Sequence, residues 1–337
     1  MLATLAETPA RLRVLFPGVI TATLVGVTAQ FLSEHYGAPA MLMALLLGLA
    51  LNFLSEEGSR TAPGIGFTAR SVLRLGVALL GVRISVEMLG ALGPGLIALT
   101  VAGVLATVLC GLLLARLAGR DWRFGLLTGG SVAICGASAA MAISAILPRH
   151  EKSERDLVFT VLAVTMLSTL AMVIYPMISN ALGFTALESG VFLGGTIHDV
   201  AQVVGAGFSV GQEAGETATL VKLIRVSMLA PVVLVASLAI RARGLAAGEG
   251  ARPPLLPGFV LGFIALATLN SLGLIPPAVA DLASALSRWA LLISIAAVGI
   301  KTSLGKMLEV GATAIVLLVA ETVFIGSFVL TGLHILE

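Results

Sequence analysis

The sequence predicts an all-α, polytopic membrane protein with about eleven membrane segments, two of them glycine-broken or re-entrant. Three observations lead there. Of 337 residues, 58% are hydrophobic and only 11% charged, whereas a soluble domain carries about a quarter charged residues. Apolar runs joined by terse polar connections fill the chain. Two glycine-rich, polar-studded stretches interrupt them: Thr128-Gly-Gly-Ser-Val-Ala-Ile-Cys-Gly-Ala-Ser-Ala-Ala-Met141 and Gly194-Gly-Thr-Ile-His-Asp-Val-Ala-Gln-Val-Val-Gly-Ala-Gly207.

The apolar segments cover residues 14–32, 40–54, 72–84, 96–117, 124–147, 157–182, 191–208, 220–240, 259–274, 290–300 and 312–333. A straight helical span needs about 20 residues, so the short third and tenth segments are places to look for discontinuous helices. Residues 1–13 read as a cytoplasmic lead into a first span that is retained as an anchor. Residues 241–256, with Gly, Pro and three Arg, read as a solvated cytoplasmic linker. The whole chain is therefore expected to form one integral membrane domain. The 38 glycines suit close helix–helix packing.

Several function classes are excluded. A net charge of +2, without a basic run interleaved with aromatics, gives no case for nucleic acid. Cys110 and Cys135 sit in apolar stretches and read as buried thiols, without disulfide or metal-ligand spacing. There is no Walker loop, HExxH or GxSxG, so neither enzyme activity nor a cofactor is expected.

Orientation follows the Lys/Arg bias of short loops. Simple alternation places Arg11, Arg13, Arg60, Arg70, Arg116, Arg120, Arg123, Arg241, Arg243 and Arg252 on one side, the cytoplasm. The last span then ends in the periplasm. The basic loop of residues 148–156 falls on the wrong side. Re-entrant folding of residues 124–147 would return it, and re-entry of 191–208 would restore the later parity. The alternative is that three acidic residues in that loop soften the bias and both segments cross. Internal echoes are present as well: Gly129-Gly-Ser-Val132 with Gly194-Gly-Thr-Ile197, and Gly81-Val-Arg-Ile-Ser85 with Gly299-Ile-Lys-Thr-Ser303. Their order, A, B, B, A, fits no tandem offset.

The glycine-rich pair holds the candidate site. Gly129, Gly130 and Gly136 would expose backbone N–H groups beside Ser131, Cys135 and Ser138. Gly195, Thr196 and Gln202 would do the same in the second stretch. A helix that starts inside the membrane points N–H groups and its positive end at the cavity, which favours an anion. The competing reading is a small-residue packing face. A charge at mid-membrane costs about 2.5–3.5 kcal/mol on insertion scales, so His198, Asp199 and the mid-span Glu321 are candidate coupling groups for protons or Na⁺. A structural pair capping unwound backbone is the alternative for the first two. Arg83, Lys222, Arg225 and Lys301 are candidate counter-charges for an oxyanion, or else they snorkel. Asn52 reads as interhelical glue.

Four stretches carry a family resemblance: residues 75–85, 129–138, 194–207 with its His-Asp-Val-Ala-Gln run, and Lys222-Leu-Ile-Arg225 with the run on to Pro231. They resemble the YeiH-type sulfate exporter family of bacterial inner-membrane proteins, over almost the whole chain. The resemblance implies a transporter of sulfate, sulfite or a related sulfur oxyanion. It also implies kinship with bile-acid symporters and cation/proton antiporters, with two discontinuous helices crossing at mid-membrane. The partners expected are a small anion, H⁺ or Na⁺, the lipid bilayer and a second copy in a homodimer. Two rival classes stand beside it: a cation/proton antiporter using Asp199 and Glu321, and a membrane sensor or assembly protein that transports nothing.

Overall fold

The computed structural model describes residues 3–36, 38–56, 58–84, 86–148, 150–242, 258–302 and 312–336. Most of the expected linker and Ser85, Arg149, Arg243, Arg252 and Ser303 lie outside these residues. The described residues form helices joined by short turns, with no strand among them. The helices are α1 (Ala3–Tyr36), α2 (Ala40–Ala50), α3 (Ala62–Phe67), α4 (Leu73–Leu80), α5 (Val86–Leu117), α6 (Trp122–Ala133), α7 (Ala137–Ile146) and α8 (Ser153–Ala181). They continue as α9 (Ala186–Thr196), α10 (Val200–Val210), α11 (Gln212–Ser227), α12 (Leu229–Ala242), α13 (Gly258–Ser271), α14 (Pro277–Lys301) and α15 (Ala312–Leu336).

Among the described residues, seven stretches are long and apolar enough to cross a membrane, Ala62–Arg83 and Pro277–Lys301 included. These two correct the expectation that residues 72–84 and 290–300 are short, broken segments. Arg70, Arg74, Asp281 and Arg288 interrupt the hydropathy of both spans, but not the helix. A π-helical turn, Thr68–Val72, joins α3 to α4. Helix α5 kinks where Gly93 takes φ +68° ahead of Pro94.

The two glycine-rich stretches are re-entrant hairpins. Gly130 of α6 faces the side chain of Ile143 in α7; were the two helices one straight rod, those residues would stand about 20 Å apart. The feet of this hairpin also meet, because Arg120 and Asp121 line one cavity with His150, Lys152 and Asp156. In the second hairpin, Gly194 of α9 and Gly207 of α10 both face Ala218 of α11. Each hairpin starts on a cap: the Asp121 carboxylate accepts the Arg123 N–H at 3.3 Å, and Thr185 and Glu188 close a capping box. The crossing of discontinuous helices that the family resemblance implied is therefore replaced by two hairpins. They enter from opposite ends, since α8, about 43 Å long, runs from the foot of the first to the head of the second.

The helices form two bundles. The first holds α1–α4, α13 and α14; the second holds α5–α12 and α15. Helix α2 packs on α14 as α13 packs on α4, and α5 packs on α6 as α15 packs on α9. Two equivalent units follow: α2, α3–α4, α5, first hairpin, α8; and α13, α14, α15, second hairpin, α11–α12. The second is circularly permuted, which accounts for the A, B, B, A order of the echoes. Gly81–Arg83 ends α4, Gly299 and Lys301 end α14, and the two Gly-Gly pairs sit in α6 and α9. The permuted order hides the repeat from any single offset along the sequence.

With both segments re-entrant, Lys152 and Arg155 join Arg60, Arg116, Arg120, Arg123 and Arg241 at one end of the molecule. At the other end stands Arg83. Asn52 binds across helices as expected, its amide donating to the Ile300 carbonyl at 2.9 Å.

Candidate functional site

The tips of the two hairpins meet. At the first, residues 134–136 leave the helix and Gly136 takes φ +61°, a conformation that only glycine adopts without strain. At the second, residues 197–199 are non-helical. A Cβ built on Gly136 would stand 3.8 Å from Asp199 Cβ. The tips leave four helix ends facing one another: the carbonyl ends of α6 and α9, and the N–H ends of α7 and α10.

Two buried cations from α11 close the carbonyl ends. Arg225 Nε donates to the Ala133 carbonyl at 2.8 Å and Nη2 to Val132 at 2.7 Å. Its Nη1 donates to Gly194 and Ile197 at 3.0 Å each. Lys222 Nζ donates to Ile134 at 2.7 Å and to Ile197 at 2.9 Å. Both side chains are essentially inaccessible. These are orphan carbonyls of interrupted helices, which need a donor wherever water is excluded. Lys222 and Arg225 are thus spent on backbone, and neither snorkels nor stands free for a ligand.

The remaining candidates divide. Gly136, Cys135, His198, Asp199 and Gln202 come together at the junction. His198 is fully buried and its Nε2 lies 2.9 Å from Thr322 Oγ1 on α15, while Nδ1 has no partner. Asp199 turns the other way. Its N–H donates to Ser168 Oγ at 3.0 Å, and its half-buried carboxylate lies beside the Val200 and Ala201 amides without closing a capping hydrogen bond. Charge interactions link Asp199 to Lys222 and Lys301. Gln202 Nε2 donates to Thr169 Oγ1 at 3.3 Å and its Oε1 is buried without a partner. Ser138, in the first turn of α7, is exposed.

Other candidates lie elsewhere or are engaged. Gly129 and Gly130 sit inside α6, where their N–H groups belong to the helix; Gly129 packs on Gly111 of α5 and Gly130 on Ile143. Gly195 packs on Val329 of α15. Ser131 and Thr196 donate back to Leu127 and Phe192 of their own helices. These five read as packing and helix-internal groups, which corrects the expectation of a glycine cradle. Arg83 pairs with Glu216 at 2.8 Å. Cys135 is buried, Cys110 is half-buried, and both are free thiols.

Four residues missed in the sequence complete the site: Thr128, Ser168, Thr169 and Thr322. Hydroxyls on ordinary helical positions give no signal until their neighbours are known. Thr128 Oγ1 donates to Glu321 Oε1 at 2.8 Å, and Glu321 Oε2 is buried without a partner. Consecutive residues of α15 therefore grip one hairpin each, Glu321 the first and Thr322 the second. Replacing the carboxylate with an uncharged amide keeps an acceptor for Thr128 and removes the cost of holding a charge at this depth, a gain that exceeds the cost of about 1–3 kcal/mol for leaving the amide N–H groups unmet. Glu321→Gln is expected to raise Tm by about 2–6 °C in detergent, and an unchanged or lower Tm would show that the carboxyl is better satisfied than its contacts imply.

Two helix carbonyl ends contribute about −0.5 each and two N–H ends about +0.5 each, so the helices nearly cancel. Lys222 and Arg225 against Asp199 leave about one positive charge.

A family model described as Conserved hypothetical protein 698 matches residues 17–318. The chain belongs to the UPF0324 family of membrane proteins. It is 73% identical to "UPF0324 membrane protein TauZ" of Paracoccus pantotrophus and 72% identical to that of Paracoccus denitrificans, over 337 residues in each case. For the first, this is the full length of both chains. It is 62% identical over 321 residues to the UPF0324 membrane protein RB0971 of Rhizobium meliloti, covering 95% of this chain and 93% of that one. Among solved structures it aligns with the sodium proton antiporter MjNhaP1 of Methanocaldococcus jannaschii, over 95% of this chain and 99% of that chain. That alignment has 14% identity and a TM-score of 0.30, a likeness too weak to decide fold or function.

Proposed function

We propose that this UPF0324 membrane protein is a secondary transporter that carries a small anion, such as sulfate, sulfite or a related sulfur oxyanion, by alternating access at the hairpin junction. One observation supports this most: two re-entrant tips meet with their carbonyl ends sealed by Lys222 and Arg225, so the N–H ends of α7 and α10 and a residual positive charge remain for a ligand. In this reading Gly136, Ser138 and Gln202 offer polar contacts and Lys301 offers counter-charge. His198, Asp199 and Glu321 couple the movement to protons or Na⁺. The protein performs no enzymatic chemistry and needs no cofactor. The basic end lies in the cytoplasm of a bacterial inner membrane, with the N-terminus inside and the C-terminus in the periplasm.

The direct test is uptake of radiolabelled sulfite and sulfate into proteoliposomes. Asp199→Asn and Lys301→Ala are each expected to lower flux at least about tenfold, a loss of roughly 1.4 kcal/mol. In detergent, a bound oxyanion at a hundred times its Kd is expected to add about 2.7 kcal/mol of stability. No flux and no thermal shift with any sulfur oxyanion would overturn the reading. One observation favours a cation/proton antiporter instead, namely that Asp199 is half-buried and Glu321 keeps a free oxygen. Na⁺-dependent proton movement without oxyanion flux would select it.

A further inference from the structure

The two repeats are equivalent in sequence order and packing, yet they are not in equivalent positions. Helix α10 of the second hairpin is docked on α2 and α14 of the first bundle, and its residues 200–207 are all buried. Its counterpart α7 packs on α6, α8 and α12 of its own bundle and, among the described residues, makes no comparable contact with the first bundle. It leaves a stripe of Ser138, Met141 and Ala145 exposed, at the spacing of one helix face. The same asymmetry appears in the charges that end the equivalent helices α4 and α14. Arg83 crosses from the first bundle to Glu216 of α11 in the second, at 2.8 Å, with side chains 29% and 12% exposed. Lys301 stands exposed, with no ion pair among the described residues.

We infer that the Arg83–Glu216 ion pair is a latch that holds the bundles together at the end away from the basic loops, so the structure is the state open toward the basic end. In the opposite state the repeats exchange roles: the latch parts, α10 undocks, and the stripe on α7 closes against α13 and the span of α3 and α4. An ion pair joining two rigid bundles at their edge suits this task, since it supplies a contact present in one state and absent from the other. The α7 stripe then lines a wet crevice and does not face lipid.

The inference rests on the transport reading for its purpose, but its test needs no substrate. Met141→Cys in reconstituted vesicles is expected to react with a membrane-impermeant maleimide from the basic side. A thiol facing lipid stays unreactive, and that result would overturn the inference. Adding Glu216→Arg, which sets two like charges together, is expected to lower the labelling rate about tenfold. The swap Arg83→Glu with Glu216→Arg is expected to restore it to within about twofold of the parent. Should the single reversal not fold, Glu216→Gln is expected to slow labelling about threefold. Equal rates in the parent and in every latch variant would overturn the inference. Latch-dependent labelling with no anion flux would sink the transport reading alone.

Discussion

Arg225→Ala is expected to yield no stably folded protein. The guanidinium donates to four carbonyls, and Lys222 holds one of them too, at Ile197. Truncation leaves the Val132, Ala133 and Gly194 carbonyls without that donor, in a site water does not reach. Each such acceptor costs about 1–3 kcal/mol, so three cost about 3–9 kcal/mol, against a typical folding free energy of about 5–15 kcal/mol. Lysine has three donors on a point charge in place of the planar fork and cannot serve all four carbonyls. Arg225→Lys is therefore expected to fold, with Tm lowered by about 5–10 °C. The measurement is thermal unfolding in detergent, followed by monodispersity. If Arg225→Ala melted within about 2 °C of the parent, the tips would be held by something other than this side chain.

The second large effect is expected at Gly194, where α9 lies on α11. A Cβ there would overlap the Ala218 carbonyl oxygen, and would stand 2.9 Å from Val221 Cβ and 3.0 Å from Ala218 Cα. Backbone cannot rotate away, so Gly194→Val must push α9 off α11 and carry its tip away from Arg225. Overpacking of this kind costs about 1–3 kcal/mol, and a displacement near 1 Å at a reacting centre can cost about a hundredfold in rate. We expect protein that still reaches the membrane but shows at least about tenfold less of the proposed oxyanion flux, and of the thermal shift proposed with it, than the parent. The neighbouring Gly195→Ala is the contrast. There the nearest atoms are the Val329 side chain at 3.3 Å, which can yield, and stability should change by less than about 1 kcal/mol. Equal behaviour of the two variants would mean that the close approach of α9 to α11 does not set the junction.

Much of this fold was legible from residues 128–141 and 194–207 alone. Glycine, serine and ionisable groups inside apolar runs mark backbone that must leave the helix where protein can satisfy it, and both breaks fall there. The basic loop of residues 148–156 pointed to re-entry through the charge rule, although the acidic residues beside it left crossing open. The spans around Arg70 and Asp281 were cut short for a different reason: hydropathy counts a polar residue against a span even where the helix runs through it.

Only part of what the sequence singled out comes together at the junction. His198 and Asp199 were singled out by the cost of charge at depth, and they do stand at the junction. That His198 turns to Thr322 and Asp199 to Ser168 depends on α15 and α8, distant in sequence and silent in pattern. Lys222 and Arg225 were read as partners for an anion because a cation in an apolar run needs a negative partner. In the structure that partner is the chain's own interrupted backbone.

By itself the sequence determined that the chain is a helical membrane protein, where its backbone breaks, and which few polar groups are too costly at depth to be incidental. Composition and glycine spacing suffice for that, because burial in lipid penalises each unmet polar group locally. Only the tertiary structure decided that the broken segments turn back as hairpins, that the repeat is permuted, and that two cations seal the carbonyl ends of α6 and α9 at one junction. Those facts rest on cationic and hydroxyl donors meeting their acceptors across 25 to 193 residues of chain, and a hydrogen bond between such distant groups leaves no periodic trace in the order of the residues.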